Sequence, residues 1–301
     1  MKKKHLIVIA GPTASGKTAT AIKVAKAFDT VIISADSRQF YKELSIGTAA
    51  PTEEELSEVK HYFVHNLNIE QSYDVADYEH DVLCLLNELF KQHDIVVMTG
   101  GSGLFIDAVC NGLDSIPDIS SETRNKVNEI YEKGGLAALQ TEVEKNDPEY
   151  FKVVDRQNPR RLQRALEVFL QTGKPYSTFR KKKHVDRDFN IIKTALLWDR
   201  DELIMRINRR VDGMMNLGLL DEVKSVYCKR HLNSLNTVGY KELFEYLDGK
   251  ATLEQAVEQI KINTRQYAKR QMTWLRKNSD YQWFSIDEYD KMLDYIKEHL
   301  A

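Results

Sequence analysis

The eight residues from 11 to 18 have the types and the spacing of a phosphate-binding loop. They read Gly11-Pro12-Thr13-Ala14-Ser15-Gly16-Lys17-Thr18 and match the pattern G-x-x-x-x-G-K-[ST]. In such a loop, backbone N–H groups surround a phosphate, the lysine ammonium binds its terminal oxygens and the Ser/Thr hydroxyl binds Mg²⁺. We therefore predict a phosphate compound at this segment, with Thr18 as a Mg²⁺ ligand. The pattern leaves open which compound is bound and what reaction follows.

The flanking residues predict a strand and a helix that would position this loop. Residues 5–10 form an apolar run typical of a buried strand, and residues 17–28 have the apolar spacing of an amphipathic helix. A strand, a loop and a helix in this order aim backbone N–H groups and the positive end of the helix dipole at one anion. The alternative is a glycine-rich turn without a ligand, and such a turn needs neither the strand before it nor the helix after it.

Two further segments carry candidate chemistry just after predicted strands. Asp36 follows a strand at 30–34, where its carboxylate could act as a general base or bind a metal-bound water. An Asx-turn or a helix cap is an equally good interpretation of Asp36. Gly100, Gly101 and Gly103 follow a strand at 94–98 and allow close approach of a ligand or of another backbone. The alternative there is a tight turn with a helix cap from Ser102.

The apolar pattern predicts an α/β fold with a parallel sheet. Continuous apolar runs at 5–10, 30–34, 94–98 and 191–198 are typical of parallel strands that are covered on both faces, and helical patterns separate them. Ligands of such sheets bind at the carboxyl ends of the strands. The chain is then predicted to be helical to about Lys277, with a short strand at 281–285 and a terminal helix.

A helical insertion is predicted within this fold. Residues 115–188 lack a convincing strand, whereas residues 1–114 and 189–301 form the α/β core with its C-terminal helices. Pro159 suits the first turn of a helix on which Leu162, Ala165, Leu166 and Phe169 make one apolar stripe. Arg160, Arg161 and Arg164 lie away from this stripe. A solvated charged face is the ordinary interpretation, but the lack of an acidic partner before Glu167 favours a polyanion.

Two other basic clusters lie outside that helix, although the net charge of the chain is only −2. One comprises Lys174, Arg180, Lys181, Lys182, Lys183, His184 and Arg187. The other includes Lys261, Arg265 and Lys269 at i, i+4, i+8, where like charges repel unless a phosphate backbone or acidic neighbours relieve them. Tyr240 could stack on a base or be a partly buried interface residue. Local basic patches allow a neutral protein to bind nucleic acid.

Composition sets the class of protein. The 301 residues are 42% hydrophobic, enough for a sizeable core, and no apolar stretch approaches the length of a membrane span. The apolar run behind the basic N-terminus is too short for a secretion signal. Three widely spaced cysteines without a C-x-x-C pair indicate reduced thiols and no zinc site. We expect the protein to be cytoplasmic and monomeric, and to make no contact with a membrane.

Six segments, in order along the chain, resemble motifs of the bacterial tRNA dimethylallyltransferase (isopentenyltransferase) family. They are 11–18, 36–41, 100–104, 158–161 with 164–168, 238–242 and 264–271. The first is generic, but six in register over nearly the whole chain are highly specific. Residues 206–212 also match a family motif. Residues 235–237 depart from the pattern, because they lack the basic residues that some members carry there.

The resemblance implies that the chain has an α/β P-loop core and transfers a dimethylallyl group. The group would pass from dimethylallyl diphosphate to N6 of the adenosine at position 37, immediately 3′ of the tRNA anticodon, with release of diphosphate. Residues 11–18 and Arg210 would hold the diphosphate with Mg²⁺ as cofactor. Asp36, Lys17 and Thr18 would be catalytic, and Asp36 would take the N6 proton. The family correspondence and the residues named above predict these tRNA contacts: Asp36, Ser37, Arg38, Gln39, Ser102, Arg124, Arg160, Arg161, Leu162, Gln163, Arg164, Tyr240 and Lys241.

Two other classes of protein share part of this pattern. A small-metabolite or nucleotide kinase has the same strand, P-loop and helix, and the arginine-rich insertion could be its lid. A non-enzymatic RNA-binding protein could retain a P-loop that no longer acts. The first would transfer the γ-phosphate of ATP, and the second would not depend on Asp36 or Lys17.

Overall fold

A computed structural model describes residues 3–181 and 185–300, and its centre is a six-stranded parallel sheet. The strands are β1 (His5–Ala10), β2 (Ile32–Ser34), β3 (His61–Tyr62), β4 (Ile95–Gly100), β5 (Asn190–Leu197) and β6 (Gln282–Ser285). Their order across the sheet is β3-β2-β4-β1-β5-β6, and every neighbouring pair is parallel. The predicted α/β fold with its parallel sheet is therefore confirmed. β3 was not predicted, because a strand of two residues gives no apolar run.

Twelve α-helices accompany these strands in the described residues. They are α1 (Lys17–Ala27), α2 (Glu53–Glu58), α3 (Val75–Leu89), α4 (Gly103–Asn111), α5 (Ser121–Asn146), α6 (Pro148–Val153), α7 (Pro159–Thr172), α8 (Arg200–Asn216), α9 (Leu219–Val226), α10 (Tyr240–Leu247), α11 (Leu253–Arg276) and α12 (Tyr289–Glu298). The predicted helix start at Pro159 is confirmed. The Asn158 side chain accepts a hydrogen bond from the N–H of Arg161, and Gly173, whose φ is +69°, caps the C-terminus of α7.

Apolar side chains cover both faces of the sheet, as the continuous apolar runs predicted. Leu6 and Val8 of β1 pack into one buried cluster, whereas Ile7 and Ile9 pack into the cluster on the opposite face. All four side chains are fully buried. A strand with two buried faces cannot alternate apolar and polar residues, which is why β1 reads as one apolar run.

The chain divides into two compact units. The first, called the core unit, runs up to Cys110 and resumes at Asp186, and the second, called the inserted unit, spans Asn111–Val185. The sequence had placed these boundaries at 115 and 188. The inserted unit contains α5, α6 and α7 around an apolar cluster of its own. α5 is interrupted at Gly135, where φ is +61°. Lys182, Lys183 and His184 of the second basic cluster lie outside the described residues.

Within residues 3–181 and 185–300, no helix combines the length and the apolar character that crossing a bilayer requires.

The contact between β4 and the residue after β2 requires a glycine at position 100. A Cβ atom added there would lie 2.2 Å from the carbonyl oxygen of Ala35, a backbone atom that cannot move aside. We predict that Gly100→Ala destabilises the protein by about 1–3 kcal/mol, because the two backbones must separate. The shift of the denaturant midpoint measures this effect.

Gly213→Ala is the matched control, because it adds the same methyl group inside α8, where nothing lies within 4 Å. It is expected to stabilise the protein by roughly 0.5–1 kcal/mol through helix propensity. Equal midpoints for the two variants would show that the approach at position 100 imposes no constraint.

Candidate functional site

The loop of residues 11–18 joins β1 to α1 in a tightly curled conformation. Ala14 and Gly16 both have positive φ, +63° and +84°, and a Cβ at Gly11 would lie 2.6 Å from Ser15 Oγ. No side chain caps the N-terminus of α1, so the N–H groups of its first turn have no side-chain acceptor. The loop thus combines close backbone packing with an uncapped helix start, as an anion site requires.

Three side chains from distant segments hold this loop in place. Trp198 Nε1 donates to the Ser15 carbonyl at 2.8 Å, and Arg206 Nε donates to the Ala14 carbonyl at 2.8 Å. The Arg206 guanidinium lies over the Trp198 ring, 4.2 Å from its centroid. Sequence reasoning assigned no role to either residue, although Arg206 lies in a family-like segment.

Gln271 is the third of these side chains, and it bridges two loops. Its Oε1 accepts from Thr13 N at 2.9 Å, and its Nε2 donates to the Gly101 carbonyl at 2.9 Å. The side chain is buried, so both bonds are made away from water. The signal in the sequence was the motif 264–271, which gave no role for this glutamine.

A cavity of about 120 Å³ lies beside the loop, entirely within the core unit. The predicted residues that line it are Thr13, Lys17, Thr18, Asp36, Arg38, Gln39 and Arg210. An apolar set also contributes to the wall and comprises Val211, Met214, Leu219, Val238 and Ile260. The structure therefore brings the predicted catalytic residues together with Arg210 and places apolar side chains in the same cavity.

The charges in this cavity are partly desolvated. The pKa of Lys17 is lowered to about 8, mainly by burial; the charge of Asp36 opposes this shift, and the nearby Arg210 adds to it. Burial also lowers the pKa of Arg210, again against the effect of Asp36. Lys17 and Arg210, two partly desolvated cations, thus share this cavity with the carboxylate of Asp36. An anion that entered the cavity would be attracted to both cations.

Asp36 both shapes its own turn and faces the cavity. Its Oδ1 accepts from Arg38 N at 3.1 Å, which is the predicted Asx-turn bond, and the residue also lines the cavity. The charge of Asp36 reaches Tyr267, whose pKa is raised to about 12 by burial first and by Asp36 second. Ser102 acts on the pKa of Tyr267 in the opposite direction. The two interpretations of Asp36 are therefore compatible.

Protein packing accounts for the glycines after β4. A Cβ at Gly101 would lie 2.2 Å from Gln271 Nε2, and one at Gly103 would lie 2.2 Å from the Trp274 ring. Ser102 Oγ accepts from Ser37 N at 3.1 Å and donates to Ser37 Oγ at 3.3 Å. The close approach is therefore to another backbone at Gly100 and to side chains at Gly101 and Gly103.

Arg38 and Gln39 have extensive contacts within the protein. The Arg38 guanidinium donates to the carbonyls of Asn233, Ser234 and Asn236 at 3.0–3.4 Å. It thereby supplies a basic group to the segment whose own residues lack one. The Gln39 amide donates to the carbonyls of Thr48 and Ala49. Both side chains build the cavity wall.

Three side chains predicted to contact tRNA cannot do so in this structure. Tyr240 is completely buried and donates its hydroxyl to Glu222 at 2.6 Å, so its predicted stacking on a base is wrong. Leu162 is also completely buried, within the core of the inserted unit. Gln163 is buried and donates to Asn128 Oδ1 at 3.2 Å. Lys241, next to Tyr240, is exposed.

The basic side chains differ in their partners. Lys261 pairs with Asp212 at 2.6 Å and Arg265 with Glu258 at 3.2 Å, so acidic neighbours relieve most of the repulsion along α11. In the inserted unit, Arg124, Arg160 and Arg161 are exposed, and they have no acidic partner among the described residues. Arg164 is half-buried and lies 3.6 Å from Glu167.

Comparison with known proteins adds a family to this geometry. A family model described as IPP transferase matches residues 39–278. A protein of Phocaeicola vulgatus named tRNA dimethylallyltransferase 1 is 52% identical over 291 residues, which are 97% of each chain. A solved tRNA isopentenylpyrophosphate transferase from Bacillus halodurans has a TM-score of 0.74 and 34% identity, covering 99% of this chain and 97% of that one. A eukaryotic dimethylallyltransferase solved acting on tRNA has a TM-score of 0.77 and 26% identity, covering 94% and 74%.

Proposed function

This chain belongs to the IPP transferase family, and we propose that it transfers the dimethylallyl group of dimethylallyl diphosphate to tRNA. The acceptor is N6 of the adenosine at position 37, next to the anticodon, and the products are N6-(dimethylallyl)adenosine in tRNA and diphosphate. The single observation that carries this proposal is the cavity that joins Lys17, Arg210 and Asp36 to an apolar wall. An allylic diphosphate has the matching charged and apolar parts.

The diphosphate binds at residues 11–18 with Lys17 and Arg210. The uncapped start of α1 supplies backbone N–H donors, and the two cations neutralise the charge that grows on the diphosphate as it leaves. The five-carbon group packs against the apolar side chains, of which Leu219 and Ile260 are almost completely buried. This arrangement holds the allylic carbon near Asp36.

Asp36 acts as the general base. The N6 lone pair of adenine forms the new C–N bond, the C–O bond to diphosphate breaks with its electron pair leaving on diphosphate, and the Asp36 carboxylate takes the N6 proton. The adenine must leave its stack to reach the cavity. Tyr267 stays protonated at neutral pH because its pKa is raised to about 12, so it is not a competing base.

Mg²⁺ fits this site through one side chain and the substrate. The described residues contain no group of three or more His, Cys, Asp or Glu that could hold a metal ion. Mg²⁺ commonly takes few protein ligands and fills its shell with phosphate oxygens and water. Thr18 lines the cavity beside Lys17 and would supply its hydroxyl. The bound ion would neutralise charge on the departing diphosphate.

The inserted unit provides the tRNA-binding surface of this proposal. Arg124, Arg160 and Arg161 are exposed there, and such arginines bind phosphate oxygens of a nucleic-acid backbone. Lys241, Ser37 and Ser102 in the core unit are further candidates for contacts near the flipped base. The expectations of a cytoplasmic location and of a monomer stay predictions.

We predict that the purified protein moves radiolabel from dimethylallyl diphosphate to tRNA, and that Asp36→Asn slows this transfer about 10²–10⁴-fold through loss of the base. Lys17→Ala is expected to weaken it through loss of diphosphate binding. Lys23→Ala, an exposed lysine on the same helix, is the control and retains wild-type transfer. Label that moves from the ATP γ-phosphate to a metabolite would support a kinase instead. Unchanged transfer in the Asp36 and Lys17 variants would contradict the proposed mechanism.

We also predict that kcat/KM for dimethylallyl diphosphate falls above pH 8. The pKa of Lys17 is lowered to about 8, so the ammonium is charged below this pH and becomes neutral above it. kcat/KM reports the ionisations of the free enzyme, and a neutral Lys17 loses its attraction to diphosphate. Lys17→Arg keeps a positive charge at high pH and is expected to lower the activity while removing this alkaline decline. A decline that persists in Lys17→Arg would assign it to another group.

Finally, we predict that Arg160→Glu combined with Arg164→Glu weakens tRNA binding and flattens its dependence on salt. Each lost phosphate contact reduces the slope of log K against log salt by about 0.7–0.9. Binding of dimethylallyl diphosphate is expected to remain unchanged. Lys126→Glu with Lys133→Glu is the control in the same unit, because it makes the same charge change at side chains already paired with Glu122 and Glu129. An equal loss of affinity for tRNA and for dimethylallyl diphosphate would indicate that these arginines stabilise the fold instead of binding tRNA.

A further inference from the structure

The side-chain carboxylate of Glu222, on α9, accepts four hydrogen bonds, and the proposed function does not use it. Its Oε2 accepts from Ser45 N at 2.9 Å and from Ile46 N at 2.8 Å. Its Oε1 accepts from Gly47 N at 2.8 Å and from the Tyr240 hydroxyl at 2.6 Å. Each carboxylate oxygen thus accepts from two donors. Hydrogen bonds to a carboxylate are stronger than those between neutral groups.

Three successive backbone N–H groups of residues 45–47 converge on this one carboxylate. Such a run of amides is an anion-binding arrangement, and here a side chain about 175 residues away in sequence fills it. Without the carboxylate, these N–H groups would have to donate to water. Glu222 therefore fixes the backbone of residues 45–47 to α9.

Tyr240 closes this arrangement from the other side. A Cβ atom at Gly47 would lie 2.5 Å from the Tyr240 ring, so the backbone of Gly47 lies directly on the ring. The pKa of Tyr240 is raised by burial and by the charge of Glu222. Its hydroxyl therefore stays protonated and donates to Glu222. We call Glu222, Tyr240 and residues 45–47 the glutamate clamp.

The residues that follow the clamp contact the groups of the cavity. The Thr48 carbonyl accepts from Arg210 Nη2 at 3.4 Å and from Gln39 Nε2 at 3.4 Å. The Ala49 carbonyl accepts from Gln39 Nε2 at 3.0 Å. Gly47, Thr48 and Ala49 themselves line the cavity beside Lys17 and Asp36. A shift of this segment would displace the acceptor of the Arg210 guanidinium.

We propose that Glu222 is a positioning residue, which through the glutamate clamp holds the Thr48 carbonyl where it orients Arg210 toward the diphosphate of the substrate. The proposal rests on the proposed function for the identity of that anion. Glu222 touches no reacting atom and acts through residues 45–49. Tyr240, which the sequence assigned to a tRNA base, belongs instead to this support of the diphosphate site.

The test compares Glu222→Gln with Asp221→Asn, which removes the same charge from the neighbouring, highly exposed residue of α9. A glutamine cannot accept at both terminal atoms, so two of the four donors lose their acceptor. Hydrogen exchange of the amides of residues 45–47 is expected to accelerate in Glu222→Gln and to stay unchanged in Asp221→Asn. Unchanged exchange in Glu222→Gln would overturn the clamp.

Inorganic pyrophosphate is the probe for the positioning role, measured by calorimetry with Mg²⁺ present. We expect Glu222→Gln to weaken its binding about tenfold, which corresponds to one charge-assisted hydrogen bond. KM for dimethylallyl diphosphate should rise by a similar factor, whereas KM for tRNA stays unchanged. In an Arg210→Ala background the same substitution should have no effect on pyrophosphate binding. An equal loss in both backgrounds would show that Glu222 does not act through Arg210.

Tyr240→Phe gives a second route to the same answer, since it removes one bond to Glu222 and keeps the buried ring. It is expected to accelerate exchange at Gly47 and to weaken pyrophosphate binding less than Glu222→Gln does. If Glu222→Gln does not fold, Tyr240→Phe decides the proposal, and unchanged pyrophosphate affinity in it would overturn the proposal. Exchange and pyrophosphate binding require no transfer to tRNA. If the wild-type protein moves no label to tRNA, the proposed function is contradicted. Hydrogen exchange and pyrophosphate binding would still test the glutamate clamp.

Discussion

The arrangement of the core unit depends on holding two partly desolvated cations, Lys17 and Arg210, beside a single carboxylate. Burial lowers the pKa of both, and only the charge of Asp36 opposes this. An isolated cation in such surroundings is unfavourable, so the cavity favours an anionic ligand. A leaving group that gains negative charge is stabilised most when its donors are already in place and dry.

The parallel sheet brings this chemistry to one edge, but the sheet alone does not complete it. β1 ends at the phosphate-binding loop, and β2 ends just before Asp36. β4 ends at the glycines that lie in close contact with Ala35 and Gln271. Side chains from the residue after β5, from α8 and from α11 then fix the loop. Trp198 and Arg206 bind its carbonyls, and Gln271 joins it to the segment after β4. Loop conformation thus depends on residues at least 180 positions further along the chain.

This dependence explains what the sequence predicted and what it missed. Apolar runs and the P-loop pattern are local, so β1, β4, β5, β6 and the start of α1 were predicted within about two residues. The roles of Glu222, Trp198 and Gln271 depend on pairings between distant segments, for which a single sequence has no signal. Tyr240 shows the same limit, because an aromatic residue after a glycine reads equally well as exposed or buried. Only its contact with Gly47 and Glu222 decides between them.

The basic clusters show why charge spacing alone does not identify a nucleic-acid surface. On α11, the spacing of Lys261 and Arg265 suggested repulsion that a polyanion would relieve, but Asp212 and Glu258 already do so. On α7, Arg160 and Arg161 are exposed without an acidic partner among the described residues. Exposed cations that no carboxylate neutralises are the ones available to phosphate oxygens. The tRNA-binding proposal therefore depends on the inserted unit, whereas acidic neighbours account for Lys261 and Arg265, two of the three cations in the basic stripe of α11.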